Sequence, residues 1–306
     1  MSKEPLVSVI VPTYNRAGVI CRTIDNLFQQ THRNLEVIIV DDGSTDDTQS
    51  KLRQYGGRIR VLTQTNSGPA IARNRGAKAA AGEIIAFQDS DDLWKPAKLE
   101  RQVELLEKNK SIPCCLCNVL MRAGDGFTSF DHSLIRLDRE HGLWLNVTDV
   151  LTTRFLLFNQ AAAIRRQAFE KVGGFAEDLK YLEDYDLPLR LSLEGPWALI
   201  REPLVIYGEA SAGSFSVQAT KDPVVLKQCE LRIYERMLSR IESSEMYGKA
   251  RRNLHRRHNM ARRQLLAMQR QPTAGNLDKL VNLIDKYRLA LFRRSPWFPQ
   301  PVTAAI

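Results

Sequence analysis

Three carboxylates fall within four positions of the sequence, directly after a short apolar run. Asp89, Asp91 and Asp92 follow residues 84–87, Ile-Ile-Ala-Phe, which are typical of a buried strand. Carboxylates this close repel one another, and an ionised carboxylate is costly to desolvate without a counter-charge. A divalent cation would supply that charge, because hard cations bind oxygen ligands. The alternative is an acidic N-cap of a helix that begins near residue 93.

Two other polar segments also follow apolar runs. Residues 12–16, Pro-Thr-Tyr-Asn-Arg, come after the first run, and residues 41–44, Asp-Asp-Gly-Ser, come after the second. Parallel α/β sheets bind their ligands beyond the carboxyl ends of the strands. We therefore expect these segments and the acid cluster to meet in one crevice.

Strand and helix patterns alternate through the first 110 residues. Apolar runs predict strands over 6–11, 35–40, 59–62 and 83–88. Helical spacing predicts helices over 19–28, over about ten residues capped by Ser44 or Thr45, and over 70–81 and 96–109. The alternation predicts an α/β fold with a mostly parallel sheet that is covered by helices on both faces.

The pattern is less regular after residue 110. It predicts strands over 113–121 and 161–164 and a helix over 167–172, which the pair Gly173-Gly174 would end. A further helix is predicted from Tyr181 through Leu193.

Five ordered motifs resemble those of family 2 glycosyltransferases. They lie at residues 7–16, 40–46, 66–76, 87–92 and 183–186, within a resemblance that spans residues 6–216. The resemblance implies the glycosyltransferase A fold, with a nucleotide-sugar-binding half over 1–110 and an acceptor half over 111–221. It also implies transfer of a sugar, with inversion at the anomeric carbon, from a nucleotide donor in which uridine is the expected base. The expected acceptor is a hydroxyl of a cell-surface glycan or of a lipid-linked molecule.

The resemblance assigns the acid cluster to the diphosphate of the donor. Asp91 would bind Mn²⁺ or Mg²⁺, which as a Lewis acid stabilises the negative charge of a leaving diphosphate. Asp89 would contact the ribose or support the metal site. For Asp92 we favour the cap of the following helix.

The resemblance also assigns six residues to the rest of the nucleotide: Pro12, Tyr14, Asp41, Asp42, Asn66 and Arg73. The first two would line the base pocket, and Asp42 would accept a hydrogen bond from the base with help from Asp41. Taken alone, the Asp41-Asp42-Gly43-Ser44 run would be an ordinary Asx turn. Arg73 taken alone would be an exposed helix arginine.

Glu183 and Asp184 are the expected catalytic pair. Inverting transfer needs a base that takes the proton of the acceptor hydroxyl. The resemblance gives that role to Asp184, and Glu183 would orient the base or touch the acceptor. The alternative is that both acids only stabilise the positive end of a helix dipole.

The chain departs from the family pattern at two places. Pro188 stands where the family usually has a large apolar residue, and we expect the first turn of a helix to tolerate it. Gly208 and Ala210 stand where many members have Arg and His, and Glu209 or Ser214 would substitute for that His. This second departure leaves open a non-catalytic member that binds nucleotide-sugar or acts as a scaffold. A nucleotidyltransferase lacks support, because its glycine-rich, lysine-containing N-terminal signature is not apparent.

Charge divides the chain at residue 222. Residues 1–221 carry 27 Lys and Arg against 28 Asp and Glu, a net charge of −1, whereas residues 222–306 carry 17 against 7, a net charge of +10, and together they give the net charge of +9 of the whole chain. The second segment is predicted to be a helical region that includes an amphipathic helix over 278–292 and ends in the aromatic pair Trp297-Phe298. It would pack back on the catalytic domain, or contact the inner membrane face through its basic helices. No nucleic-acid-binding module accompanies the charge, so nucleic acid is not an expected partner.

Cysteine content and the amino-terminal segment bear on the compartment. The five cysteines include the apolar run Cys114-Cys115-x-Cys117, which is typical of reduced core thiols. The sequence enters its first strand without the apolar region of a signal peptide. We therefore expect a cytoplasmic protein, with a peripheral membrane contact if the basic tail binds lipid.

Overall fold

The computed structural model describes residues 4–121, 126–208, 222–270 and 303–304. The predicted helix over 278–292 and the pair Trp297-Phe298 lie outside the described residues. So do the proposed substitutes for the family histidine, Glu209 and Ser214.

The described residues form ten strands and ten α-helices. The strands are β1 Val7–Thr13, β2 Leu35–Asp41, β3 Arg60–Thr63, β4 Ile84–Phe87, β5 Leu93–Trp94, β6 Cys114–Leu120, β7 His141–Trp144, β8 Ala162–Arg165, β9 Trp197–Ile206 and β10 Thr303–Ala304. The helices are α1 Ile20–Leu27, α2 Thr48–Arg53, α3 Pro69–Ala79, α4 Lys98–Lys108, α5 Ser129–His132, α6 Val147–Leu151, α7 Arg166–Lys171, α8 Glu183–Leu191, α9 Pro223–Ile241 and α10 Gly248–Arg270.

These strands pair into one sheet, which helices flank. Its order is β10-β7-β9-β6-β8-β4-β1-β2-β3, and β5 pairs with β9. The four strands β3, β2, β1 and β4 are mutually parallel, which confirms the predicted parallel sheet of the amino-terminal half. Beyond β4 the sheet is mixed, because β8 runs antiparallel to both of its neighbours while β6 and β9 are parallel.

Helix α3 is seated closely on the parallel strands. It begins with Pro69 after Gly68, whose φ of 90° is accessible to glycine without strain, and proline suits a first helical position. One face of the helix meets β1 at Gly76, where an added Cβ would lie only 2.4 Å from Cγ2 of Ile10. This close contact fixes the helix that carries Arg73.

The predicted cap of the helix after β2 is wrong. The helix after β2 begins at Thr48, spans six residues and has Asp47 at its cap position, so neither Ser44 nor Thr45 caps it. Both residues instead bind the loop after β1: the Asn15 backbone N–H donates to Ser44 Oγ at 2.9 Å, and the Thr45 backbone N–H donates to Asn15 Oδ1 at 2.8 Å. These side chains join two loops rather than begin a helix.

The cap predicted at Asp92 is also wrong. Strand β5 follows the acid cluster, and α4 begins only at Lys98 with Ala97 at its cap position. Pro188 is likewise not in the first turn of its helix, because it is the sixth residue of α8. Since proline has no backbone N–H, the carbonyl of Asp184 lacks its i+4 helical partner there.

The basic segment continues the core of the fold. Three apolar residues on one face of α9, Cys229, Ile233 and Met237, are buried and join the same core cluster as the strands. Helix α10 packs against α9 and α6. Within residues 4–121, 126–208 and 222–270, no helix is both long and apolar enough to cross a membrane.

Candidate functional site

The acid cluster lies in the loop after β4. Asp89 and Asp91 each have 31% of the side chain exposed. Burial and the neighbouring Asp89 charge raise the pKa of the Asp91 carboxyl, and Arg16 opposes them from 4.0 Å. Asp91 is therefore a partly exposed carboxylate whose nearest arginine among the described residues, Arg16, is 4.0 Å away.

The third acid of the cluster, Asp92, is buried and serves the backbone. Its Oδ1 accepts the Gly208 backbone N–H at 2.7 Å, and Oδ2 has no hydrogen-bond partner among the described residues. Burial, with the nearby charges of Asp89 and Asp91, raises the pKa of Asp92 to about 8. Asp92 thus anchors the chain that leaves β9 beside the acid cluster.

A steric constraint explains why position 208 is glycine. A Cβ there would lie 2.4 Å from the carbonyl oxygen of Asp91, which is closer than real Cβ atoms approach backbone. A larger side chain would therefore displace the acid loop. This contact accounts for the first departure of the closing segment from the family pattern.

Arg73 joins the acid cluster to Glu183, the neighbour of the expected base. Its Nη2 donates to Asp89 Oδ1 at 2.7 Å, and its Nη1 donates to Glu183 Oε1 at 3.0 Å. Burial lowers the pKa of Arg73, but the two carboxylates outweigh burial and raise it above its ordinary value. Arg73 is therefore not an exposed helix arginine: it is 5% exposed and bridges β4 to α8.

Asp184 lies one residue beyond that bridge, in the first turn of α8. Burial and the adjacent Glu183 charge raise the pKa of Asp184 to about 7, against the opposing effect of Arg73. A carboxyl with this pKa changes protonation near neutral pH, as a general base requires. The predicted catalytic pair and the acid cluster thus meet at Arg73.

Asp41 and Asp42 hold the loops around β2. Asp41 accepts hydrogen bonds from the Ser44 backbone at 3.0 Å and from Gln49 at 2.8 Å, as in the Asx-type alternative. Asp42 accepts bonds from the side chain of Gln64 and from two backbone N–H groups, those of Ser67 and Gly68, at 2.7–2.8 Å. Each carboxylate oxygen has two acceptor sites, so Asp42 retains capacity for a ligand.

The remaining predicted nucleotide residues lie at the same edge of the sheet. Pro12 is partly buried in β1, and Tyr14 has 43% of its surface exposed in the loop that follows. Asn66 is exposed in the loop held by Asp42. These residues surround the carboxyl ends of β1 and β2, where the sequence predicted the base pocket.

Sequence reasoning missed Tyr207 as a site residue. Burial and four nearby carboxylates raise the pKa of the Tyr207 hydroxyl to about 12. Those carboxylates are Asp92, Asp89, Asp91 and Asp184. Tyr207 follows β9 directly, and the available signal was its place beside Gly208 in the segment that departs from the family pattern. Its surroundings show that both acid groups border one space.

The residues fit a divalent cation shared with a ligand. In the described part of the chain, no group of three or more His, Cys, Asp or Glu side chains is arranged to hold a metal. Asp89 and Asp91 nonetheless offer hard oxygen donors, and Asp91 has no cation in that part of the chain closer than Arg16 at 4.0 Å. Magnesium commonly takes one or two carboxylates and completes its shell with substrate phosphates and water. The donor set therefore suits a cation that a diphosphate helps to bind.

The fold and the position of these acids define a glycosyltransferase A protein, with a parallel nucleotide-side sheet continued by a mixed sheet. The profile of glycosyl transferase family 2 matches residues 8–173, more than half of the chain. The chain therefore belongs to glycosyl transferase family 2, which confirms the predicted family.

Three relatives illustrate the similarity. An uncharacterized glycosyltransferase of Rickettsia typhi is 34% identical over 189 residues, 60% of this chain and 58% of its own length. One of Haemophilus influenzae is 33% identical over 214 residues, 65% of this chain and 67% of its own. The putative teichuronic acid biosynthesis glycosyltransferase TuaG of Bacillus subtilis is 38% identical over 154 residues, 49% and 61%. The chain thus spans less than two thirds of the Rickettsia and Bacillus proteins.

Two solved structures share the fold. S. aureus TarS, residues 1–349, in complex with UDP-GlcNAc has a TM-score of 0.66 and 22% identity, covering 82% of this chain and 72% of that one. The mannosyltransferase PcManGT from Pyrobaculum calidifontis, in complex with GDP-Man and Mn²⁺, has a TM-score of 0.57 and 23% identity, covering 95% and 82%. Identities this low establish the fold alone.

Proposed function

We propose that the chain is a metal-dependent, inverting glycosyltransferase that moves a sugar from a nucleotide-sugar donor to an acceptor hydroxyl. The observation that carries this proposal is the Arg73 bridge, which joins Asp89 of the acid cluster to Glu183 beside the expected base. The bridge brings a diphosphate-type site and a titratable carboxylate to one place. Membership of glycosyl transferase family 2 supports the reaction class.

The nucleotide occupies the loops after β1 and β2 in this proposal. Pro12 and Tyr14 line the base pocket, while Asp42 accepts a hydrogen bond from the base beside Asp41. Asn66 lies at the rim of that pocket. UDP is the favoured nucleotide from the family, and the UDP-GlcNAc complex of TarS supports it, although PcManGT binds GDP-Man. A hexosyl or N-acetylhexosaminyl group is the expected sugar.

Asp91, supported by Asp89, would hold the Mn²⁺ or Mg²⁺ ion beside the diphosphate. When bound, such an ion neutralises the negative charge that grows on the leaving diphosphate. Arg73 holds Asp89 in place through its 2.7 Å hydrogen bond and does not need to contact the nucleotide itself. The Mn²⁺ in the PcManGT complex supports a divalent metal on this fold.

Asp184 acts as the base. The oxygen of the acceptor hydroxyl attacks the anomeric carbon as the bond from that carbon to the diphosphate breaks, and Asp184 takes the hydroxyl proton. Attack on the face opposite the leaving group inverts the configuration. The pKa of about 7 suits this role, because the carboxylate is then available near neutral pH while remaining basic. Glu183, fixed by Arg73, orients the base.

The acceptor is a cell-surface glycan or a lipid-linked molecule on the cytoplasmic side of the membrane. The similarity to a putative teichuronic acid biosynthesis enzyme supports a polysaccharide acceptor. Helix α10 carries eight Lys and Arg and no Asp or Glu, with Met260 and Leu266 exposed among them. This composition suits a peripheral contact with anionic lipid. In this proposal residues 1–221 form the catalytic domain and 222–306 the basic helical region.

A donor screen tests the proposal. Purified protein is titrated with a panel of UDP- and GDP-sugars, with Mn²⁺, with Mg²⁺ or with a chelator, and both binding and release of nucleoside diphosphate are measured. We expect one donor to bind and to be hydrolysed slowly only with metal. Failure of every donor to bind would contradict the proposal. Metal-independent binding and turnover would remove Asp91 as a metal ligand, and metal-dependent binding without any turnover would favour the non-catalytic scaffold.

A further inference from the structure

The catalytic helix α8 begins in a conformation that needs outside support. Leu182, which precedes it, has a φ of 68°, in the left-handed region that non-glycine residues rarely adopt. Its carbonyl accepts the backbone N–H groups of Tyr185 and Asp186, both at 3.0 Å. Residues in such conformations persist only when their surroundings over-determine them. Asp184 lies in the same turn, between Leu182 and Tyr185. The contacts that hold Tyr185 and Asp186 therefore also hold Asp184 in position.

Asp186 is fully buried, and two arginines neutralise it. Arg190 contacts Asp186 Oδ2 through Nε at 2.7 Å and through Nη2 at 2.5 Å. Arg236 donates from Nη1 to Asp186 Oδ1 at 2.7 Å. Arg190 is committed to the fold as well, because it donates to the carbonyls of Val172 and Gly174. The charge on Asp186 is thus shared between its own helix and a second element.

That second element is α9, beyond residue 222. Nη2 of Arg236 also contacts both carboxylate oxygens of Asp178, at 2.8 and 2.9 Å. One guanidinium therefore ties α9 to the first turn of α8 and to the segment that leads into it. A planar guanidinium fork fixes geometry in a way that a lysine ammonium does not.

Tyr185 is held from α10. Its hydroxyl donates to the Leu151 carbonyl at 3.1 Å and lies 3.4 Å from Nη1 of Arg257. Nη2 of Arg257 donates to the carbonyl of Thr153, next to the same α6 helix. The two residues that follow Asp184 are thus held by arginines from two different helices of the basic segment.

We propose that Arg236 and Arg257 are positioning residues for the transfer reaction, and that helices α9 and α10 set the orientation of the base. This inference rests on the proposed function, in which Asp184 is that base. Neither arginine touches the acid cluster or the loops after β1 and β2. They act on the proton-accepting side of the site, and donor binding does not depend on them. Misplacement of a catalytic group by about 1 Å is enough to lower a rate roughly a hundredfold.

The test compares Arg236→Gln with Arg240→Gln, a change one turn further along α9 at an exposed arginine. For Arg236→Gln we expect kcat for transfer to fall at least about tenfold with the KM for donor unchanged. Arg236→Lys, which keeps the charge but loses the fork, should recover part of that loss. Arg240→Gln should keep kcat within about twofold. An unchanged kcat in Arg236→Gln, or an equal loss in Arg240→Gln, would overturn the proposal.

A second measurement separates this inference from the proposed function. Amide hydrogen exchange of residues 183–186 reports the order of the first turn of α8 without needing turnover. We expect exchange there to accelerate at least about tenfold in Arg236→Gln. The same acceleration is expected in Arg257→Gln, which serves as the test if Arg236→Gln does not fold. The loops after β1 and β2 should keep their exchange rates. Unchanged exchange at 183–186 in a folded variant would overturn the positioning role, whether or not the protein transfers sugar.

Discussion

The loops after β1 and β2, where we propose that the donor binds, and the first turn of α8, which carries the proposed base, are stabilised differently. On the donor side, Asp42 bonds to Gln64, Ser67 and Gly68, and Asn15 bonds to Ser44 and Thr45, largely through backbone groups of neighbouring loops. On the base side, buried charges pair with arginines that are 110 and 50 positions away.

The donor side is held by local contacts between loops, whereas the base side is held by buried ion pairs between distant segments. Loop-to-loop bonds between adjacent parallel strands form whenever the strands pair, so the donor side needs little more than the sheet. Buried ion pairs need every partner, because removing one partner leaves an uncompensated buried charge. The base side therefore depends on the whole fold, including the basic segment. Changes on the donor side should alter ligand binding, and changes on the base side should alter rate and stability.

The largest effect expected on the donor side is at Asp91. Replacing Asp91 with Asn removes one negative charge from the acid cluster, and we expect metal-dependent turnover to fall by about 10²–10³, as for loss of one group that stabilises developing charge. Metal-promoted donor binding, measured by calorimetry, should weaken in parallel. An Asp91→Asn protein that still binds donor more tightly with Mn²⁺ would show that the metal is held elsewhere.

Arg73→Met tests the bridge between the two sides. It leaves the buried Glu183 without its cation, so we expect the free energy of unfolding to fall by about 3 kcal/mol. Turnover should fall as well, because Asp89 and the catalytic pair lose their common partner. The free energy of unfolding is measured by denaturant titration. Arg75→Met, an exposed change on the same helix, should stay within about 0.5 kcal/mol of the parent, and equal losses in the two variants would contradict the bridge.

Activity should depend on pH through Asp184. Its pKa is raised to about 7, and the base works in its deprotonated form, so kcat/KM should fall about tenfold per pH unit below pH 7 and level off above it. Donor binding should not follow the same curve. A profile that stays flat from pH 5 to pH 8 would remove Asp184 as the titrating base, and a parallel loss of donor binding would place the titration on the donor side.

The smallest expected effect is at Asp92. Burial raises the pKa of Asp92 to about 8, which favours the neutral form, and the Asn side chain has nearly the shape of a protonated carboxyl. Asp92→Asn keeps an oxygen for the Gly208 N–H, and we expect turnover within about threefold and stability within about 0.5 kcal/mol of the parent. A loss as large as that of Asp91→Asn would show that Asp92 also binds the metal.

The sequence predicted the elements of the donor side better than the contacts of the base side, because strand ends can be recognised from sequence whereas long-range ion pairs cannot. The strands that place Asp42 and Asp89 are continuous apolar runs, and their ends are visible as polar segments. Ser44, Thr45 and Asp92 were wrongly assigned as helix caps because their true partners, Asn15 and Gly208, lie in other loops. Spacing alone does not reveal such partners.

On the base side, even more of the contacts join residues that are far apart in the sequence, so spacing alone did not reveal them. The acidic pair at Glu183 and Asp184 was visible as a motif, and Arg73 was placed near the site. Its pairing with Glu183 and the pairing of Asp186 with Arg236 became apparent only in the fold. For the basic segment the sequence left packing on the catalytic domain and membrane contact open, because net charge does not distinguish an exposed arginine from one that neutralises a buried carboxylate. Tyr207 was missed because its role depends on acids from two distant segments.

The most direct test of the account is to measure donor binding and transfer in Asp184→Asn side by side. This change keeps the size of the side chain and removes the base, while the Arg73 bridge and the acid cluster stay intact. We expect metal-dependent donor affinity within about twofold of the parent and transfer lower by about 10²–10⁴. Transfer at the parental rate would contradict the assignment of Asp184 as the base.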